Sequence, residues 1–143
     1  MTNVAIITAR GGSQSIPDKN IIDICGKPAL GYVIEAARDA DLIDRIYVTT
    51  DSEKIKEVGL RYGCRLIDRP PHLSLPDTNH GDVIVHAVDI AKKEYPDLNI
   101  VTVLLGNTVM VNGKLIDLSI QILNKRTEFS SVMSVWEAAD DHP

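Results

Sequence analysis

Apolar positions along this chain follow two alternating rhythms. Short runs with strand character fall near 3–8, 45–50, 65–67, 99–105 and 131–136, separated by stretches whose apolar residues recur every three to four positions. Runs such as Ile46-Tyr47-Val48-Thr49-Thr50 and Ile100-Val101-Thr102-Val103 carry the β-branched and aromatic side chains that suit a pleated surface. A first helix is expected from Pro28, a residue tolerated in a first turn, with Leu30, Val33, Ile34 and Ala37 on one stripe. A second begins at Ser52 or Glu53, capped by Asp51 or Ser52, and ends near Gly63. A third begins at Thr78 or Asn79 and buries Val83, Ile84, Ala87, Val88 and Ala91. A fourth spans 113–126, with Leu115, Leu118, Ile122 and Leu123 as its apolar positions, and closes on Lys125-Arg126 at the negative end of its dipole.

Strands alternating with helices through short crossovers predict an α/β fold: a Rossmann-like, mostly parallel sheet flanked by helices. Ligands of such sheets sit beyond the carboxyl ends of the strands. The chain's polar segments fall there. Arg10 and the Gly11-Gly12 pair follow the first strand, Asp51 the second, Asp68-Arg69 the third and Gly106-Asn107-Thr108 the fourth. With no repeat or linker, 143 residues at 44% hydrophobic content suit one domain with one core.

A net charge of −5 argues against general affinity for nucleic acid or an anionic membrane, which are held by a spread of Lys and Arg. Any phosphate binding has to be local. The N-terminus runs into the first strand without a basic or cleavable leader, and no apolar run approaches the ~18 residues of a membrane span. A cytoplasmic protein is expected. Cys25 and Cys64 lack C-x-x-C spacing, form no zinc pattern with the histidines, and read as small buried residues.

The candidate chemistry lies in Ala9-Arg10-Gly11-Gly12-Ser13-Gln14-Ser15-Ile16-Pro17-Asp18-Lys19-Asn20. Adjacent glycines let the backbone approach a ligand closely, and Arg10 and Lys19 bracket the loop with positive charge suited to phosphate. The dinucleotide fingerprint G-x-G-x-x-G is absent, and Gly26-Lys27 runs into Pro28 rather than the Ser or Thr of a P-loop.

The loop resembles the A-R-x-x-S-K-G-x-P-x-K-N opening of the sugar-activating cytidylyltransferases, above all the acylneuraminate cytidylyltransferases, or CMP-N-acetylneuraminate synthetases. Ala9, Arg10, Ser13, Pro17, Lys19 and Asn20 match in order and spacing. Asp44-Arg45-Ile46-Tyr47-Val48-Thr49-Thr50-Asp51 is similar to the family's D-R-I-x-V-S-T-D, Arg69-Pro70 with Asp77-Thr78 to its R-P…D-T, and Asp141-His142-Pro143 to its H-H-P. The resemblance implies a fold of the nucleotide-diphospho-sugar transferase type and transfer of CMP from CTP to an acidic, sialic acid-like sugar with Mg²⁺, releasing pyrophosphate. It implies that Arg10 and Lys19 are catalytic through their charge on the phosphates. Ala9, Arg10, Gly11, Gly12, Ser13, Asn20, Arg69 and His80 would hold the nucleotide, His80 standing where the family often has a serine, and Asn107 and Thr108 would meet the sugar.

Three departures qualify this. Gln14-Ser15 replaces the loop's Lys-Gly, removing a cation, and Leu104-Leu105-Gly106-Asn107-Thr108-Val109 stands where the family has L-Q-P-T-S-P. The family also continues beyond residue 143 with a C-terminal part that carries the metal-binding aspartates and the dimerisation elements. Asp140-Asp141-His142 reads as a solvated tail rather than a replacement metal site. The alternatives left open are a truncated, non-catalytic nucleotide-binding module and a related nucleotidyltransferase for another sugar, such as 3-deoxy-manno-octulosonate. Apolar surface left uncovered by the missing part predicts a homodimer or other self-association.

Overall fold

The computed structural model describes residues 1–135. In chain order its elements are β1 (Thr2–Thr8), the short strands β2 (Asp23–Ile24) and β3 (Lys27–Pro28), α1 (Ala29–Arg38), β4 (Arg45–Thr50), α2 (Glu53–Arg61), β5 (Arg65–Asp68), a 3₁₀ turn (Pro71–Leu73), α3 (His80–Glu94), β6 (Leu98–Leu105) and α4 (Gly113–Lys125). Strands β5, β4, β1 and β6 lie side by side in that order with every pairing parallel, as the strand–helix alternation predicts.

Helices cover both faces of this sheet, so its central strand must be apolar on both sides. On one face Ala5 and Ile7 of β1 pack with Leu30, Val33 and Ile34 of α1, Ile55 of α2, and Ile116 and Ile120 of α4. On the other, Val4 and Ile6 meet Tyr47, Ile67, and Ala87 and Ala91 of α3. Three helix starts are closed by side chains. Ser52 Oγ accepts the Ile55 N–H at 3.4 Å, Asn79 Oδ1 that of Gly81 at 2.7 Å, and Asn112 Oδ1 that of Leu115 at 3.0 Å. Ser52, not Asp51, therefore caps α2.

Four expectations need correction or extension. Residues 131–135 form no strand. Their β-forming side chains do not suffice, because a strand also needs a neighbour to take its backbone hydrogen bonds. Residue 136 and the Asp140-Asp141-His142 and Asp141-His142-Pro143 segments lie outside the described residues. On α4 the inward face is Gly113, Ile116 and Ile120, while Leu115, Leu118 and Ile122 are exposed. The helix is seated by close approach to α1's end, where a Cβ on Gly113 would lie 2.7 Å from the Asp39 carbonyl carbon. That contact sets the rotation.

The β2–β3 hairpin was not anticipated. Its turn is Cys25-Gly26, both in the left-handed region (φ 54° and 84°), with Asp23 Oδ1 accepting the Gly26 N–H at 3.0 Å. Such two-residue turns usually announce themselves as Asn-Gly or Asp-Gly, and a cysteine in the first position hides the signal. Cys25 is consequently exposed, against expectation, whereas Cys64 is buried as expected.

Candidate functional site

The register of the sheet levels its carboxyl ends. Thr8 stands opposite Thr49 on one side and Leu105 on the other, and Thr50 opposite Asp68. Each following residue is then tied to its neighbour: Ala9 N–H to Thr49 O at 3.1 Å, Arg69 N–H to Thr50 O at 2.9 Å, and Gly106 N–H to Thr8 O at 2.9 Å. Four loops leave one edge together. Gly106 permits a close approach, since a Cβ there would sit 2.9 Å from Ala9 Cβ and 3.0 Å from Asn20 Oδ1.

Between these loops lies an open pocket of about 280 Å³. Of the residues singled out in the sequence, Arg10, Ser13, Lys19, Asn20, Arg69, His80 and Asn107 border it. Ala9, Gly11, Gly12 and Thr108 do not. Ala9 is buried beneath the strand end, the Gly11 N–H is given to Asp51 Oδ1 at 2.9 Å, and the Thr108 N–H closes a turn on Leu105 O at 3.1 Å. Asn20 supports the loop as well as bordering the pocket: its Nδ2 donates to the Arg10 carbonyl at 3.0 Å. The sequence reading missed Thr8 and an apolar wall of Leu73, Leu75, Pro76 and Val83. Thr8 was legible as the polar last residue of β1, but the wall depends on how the 3₁₀ turn folds back.

Electrostatically the pocket is cationic and unbalanced. Arg10, Lys19 and Arg69 make no ion pair among the described residues. Arg69 is only 8% exposed, and one guanidinium nitrogen donates to Thr49 O at 3.0 Å. Its Nε is buried without a partner among the described residues, and so is Ser13 Oγ. Burial pushes the Arg69 guanidinium below its usual pKa, Asp51's charge opposes that shift and Arg10's adds to it. Orphaned donors and a buried cation are costly unless something fills their valences. The N-terminus of α3, carrying His80, adds partial positive charge to the same pocket. His80 Nε2 lies 3.0 Å from Thr8 Oγ1. Among the described residues no three His, Cys, Asp or Glu side chains are grouped to hold a metal ion. The described residues therefore do not form a protein cage for Mg²⁺.

A parallel sheet with helices on both faces and a cationic pocket at its carboxyl edge defines the molecule as an α/β protein of the Rossmann-like kind. Residues 4–141 match the cytidylyltransferase family, and the chain belongs to it. It is 40% identical over 95 residues to the pseudaminic acid cytidylyltransferase of Campylobacter jejuni (serotype O:2), covering 66% of this chain and 41% of that protein. It is 30% identical over 131 residues to N-acylneuraminate cytidylyltransferase A of Danio rerio, covering 92% of this chain and 29% of that one. The chain thus spans half or less of the length of these relatives. In fold it is similar to a CMP:2-keto-3-deoxy-manno-octonic acid synthetase solved with CTP, with a TM-score of 0.73 at 24% identity, covering 89% of this chain and 49% of that one. No helix among the described residues is long and apolar enough to cross a membrane.

Proposed function

We propose that the pocket binds CTP and that the chain serves in transferring CMP to an acidic, sialic acid-like sugar. The observation that carries this is the set of cations and buried donors without partners among the described residues, Arg10, Lys19, Arg69 and Ser13 Oγ, around one pocket in a protein of net charge −5. A triphosphate supplies the charge and the acceptor oxygens these groups lack. The acid-sugar names of the family relatives support the second substrate. In the reaction, the sugar hydroxyl forms a bond to the α-phosphorus as the bond to the departing pyrophosphate breaks, and the hydroxyl proton passes to solvent. Arg10 and Lys19 offset the charge that develops on the phosphate oxygens. Ala9, Gly11 and Gly12 set the loop's backbone, and Asn107, which borders the pocket, would meet the sugar, with Thr108 holding the turn beside it. Mg²⁺ is proposed to enter with the nucleotide, which commonly supplies much of that ion's coordination.

Two unpaired cysteines fit a reducing, cytoplasmic setting. The exposed apolar residues of β6 and α4 support self-association.

The test is calorimetric titration of CTP, with ATP and GTP as controls, into the wild type and Arg10→Ala, followed by a pyrophosphate-release assay with acidic sugars. Selective CTP binding, weakened about tenfold or more in the variant, is expected from the loss of a charge-assisted contact. A folded chain that binds all three nucleotides equally, or none, overturns the reading. Selective binding without pyrophosphate release would identify a nucleotide-binding module instead.

A further inference from the structure

Strands β1 and β4 leave the sheet side by side, and the backbone after β4 is fixed at once. Ser52 N–H donates to Thr50 Oγ1 at 3.1 Å, and Ser52 Oγ caps α2. Asp51 sits between these anchors with its carboxylate left for another partner. That carboxylate crosses to the loop after β1, where Oδ1 accepts the Gly11 N–H at 2.9 Å. The carbonyl of the same peptide group, Arg10 O, accepts from Asn20 Nδ2 at 3.0 Å. A trans peptide is planar, with its N–H and C=O pointing opposite ways, so two side chains from different segments hold this one plane from both ends. Gly11 also lies close against the start of α2, since a Cβ there would sit 2.7 Å from Ser52 Cβ. A second tie between loop and helix, the Lys54–Asp18 ion pair at 3.0 Å, joins two exposed side chains, and pairs of that kind contribute little. Asp51 reaches a backbone amide with a short side chain and loses less freedom in doing so than Lys54 does.

We propose that Asp51 is a positioning residue for Arg10: by taking the Gly11 N–H it fixes the Arg10–Gly11 peptide and so directs the Arg10 side chain to the phosphates. This rests on the reading of the pocket as a CTP site. Arg10 and Asn20 border the pocket, and Asp51 does not. The loop's backbone has little else to offer an anion, because the Gly11 N–H is taken by Asp51 and the Ser13 N–H turns back to Gly11 O at 3.0 Å. Placement of the guanidinium therefore decides how well this loop binds, and a peptide held before the ligand arrives spares the cost of ordering it on binding. The charge of Asp51 acts in the opposite sense. It reaches the site, since it opposes the downward pKa shift of Arg69, and it repels a polyanion. Asparagine separates the two effects: its carbonyl oxygen can accept the same N–H without the charge.

The experiment measures exchange of the Gly11 amide proton by NMR in the free chain, and CTP affinity by calorimetry, for the wild type, Asp51→Ala, Asp51→Asn, Arg10→Ala and the double variant Asp51→Ala/Arg10→Ala. The Gly11 amide is expected to exchange slowly in the wild type and Asp51→Asn, and faster in Asp51→Ala. Asp51→Ala should weaken CTP about three- to tenfold, the scale of one hydrogen bond, and Asp51→Asn should restore the affinity that Asp51→Ala loses. In the Arg10→Ala background the Asp51→Ala change should bring no further loss, because the group that Asp51 places is gone. A residue that only supports the fold would add the same loss in both backgrounds. Gly11 exchange that is unchanged in Asp51→Ala, CTP affinity that is unchanged or raised in Asp51→Ala, an Asp51→Asn variant as weak as Asp51→Ala, or equal losses in the two backgrounds overturns the inference alone. A wild type that binds no nucleotide overturns the reading of the pocket, and the role of Asp51 falls with it.

Discussion

Arg69 shows how one residue can oppose the stability of its own fold. Its guanidinium is buried, its pKa is pushed down, and Nε has no described partner. A charge in that position is tolerated when a ligand completes its valences. The cysteines show the contrast between a residue placed by the core and one placed by a turn. Burial pushes the Cys64 thiol up to about 11 from its ordinary value of 9.0. A raised folded pKa means the folded state holds its proton longer, so the contribution to stability is intact below 9.0 and is lost as pH rises toward about 11. Urea unfolding should therefore show a downward slope above pH 9 that is shallower in Cys64→Ala. At neutral pH, an alkylating agent should modify Cys25 promptly and Cys64 only on unfolding. Equal labelling of both thiols in the folded chain would contradict the packing described.

Among the elements, the helices and main strands were legible because period and caps agree: Ser52, Asn79 and Asn112 each sit one residue before a helix. The hairpin was not, because Cys25 adopts a conformation usually given to Asn or Gly. Nor was the inward face of α4, whose apolar positions almost encircle it, so that the fit of Gly113 against α1 decides the rotation. Gly106 is the comparable contact at the site. Gly106→Ala would drive a Cβ against Ala9 and Asn20 at 2.9 and 3.0 Å. We expect a loss of about 1–3 kcal/mol, the usual cost of overpacking, together with weaker CTP binding as Asn20 and the Arg10 loop shift. Gly12→Ala, where a Cβ meets nothing within 4 Å, serves as the control and should leave stability near that of the wild type. Equal melting curves for the two variants would sink this account.

At the scale of the molecule, β6 ends the sheet with one side unpaired among the described residues, and Val103, Leu105, Leu115, Leu118 and Ile122 expose apolar surface along it and α4. An open groove of about 530 Å³ runs between α3, β6 and α4. Exposed strand edges and contiguous apolar patches promote association. Sedimentation of the chain is expected to show concentration-dependent self-association, reduced by Leu118→Glu with CTP affinity unchanged, because that residue lies away from the pocket. A monodisperse monomer at all concentrations would rule this out.

By itself the sequence determined the α/β class, the parallel strands implied by short crossovers, and the edge at which the polar loops gather. Local period, caps and turn chemistry act over a few residues, and the strand-end rule converts them into a location. It also marked Arg10, Ser13, Lys19, Asn20, Arg69 and His80, which the structure brings to one pocket. Only the tertiary structure decided that the Gly11 N–H belongs to Asp51, that Arg69 and Ser13 keep buried polar atoms without partners among the described residues, and that Thr8 meets His80 across 72 residues of chain. Those facts depend on sheet register and on how distant loops converge, and neither is written in the spacing of any one segment.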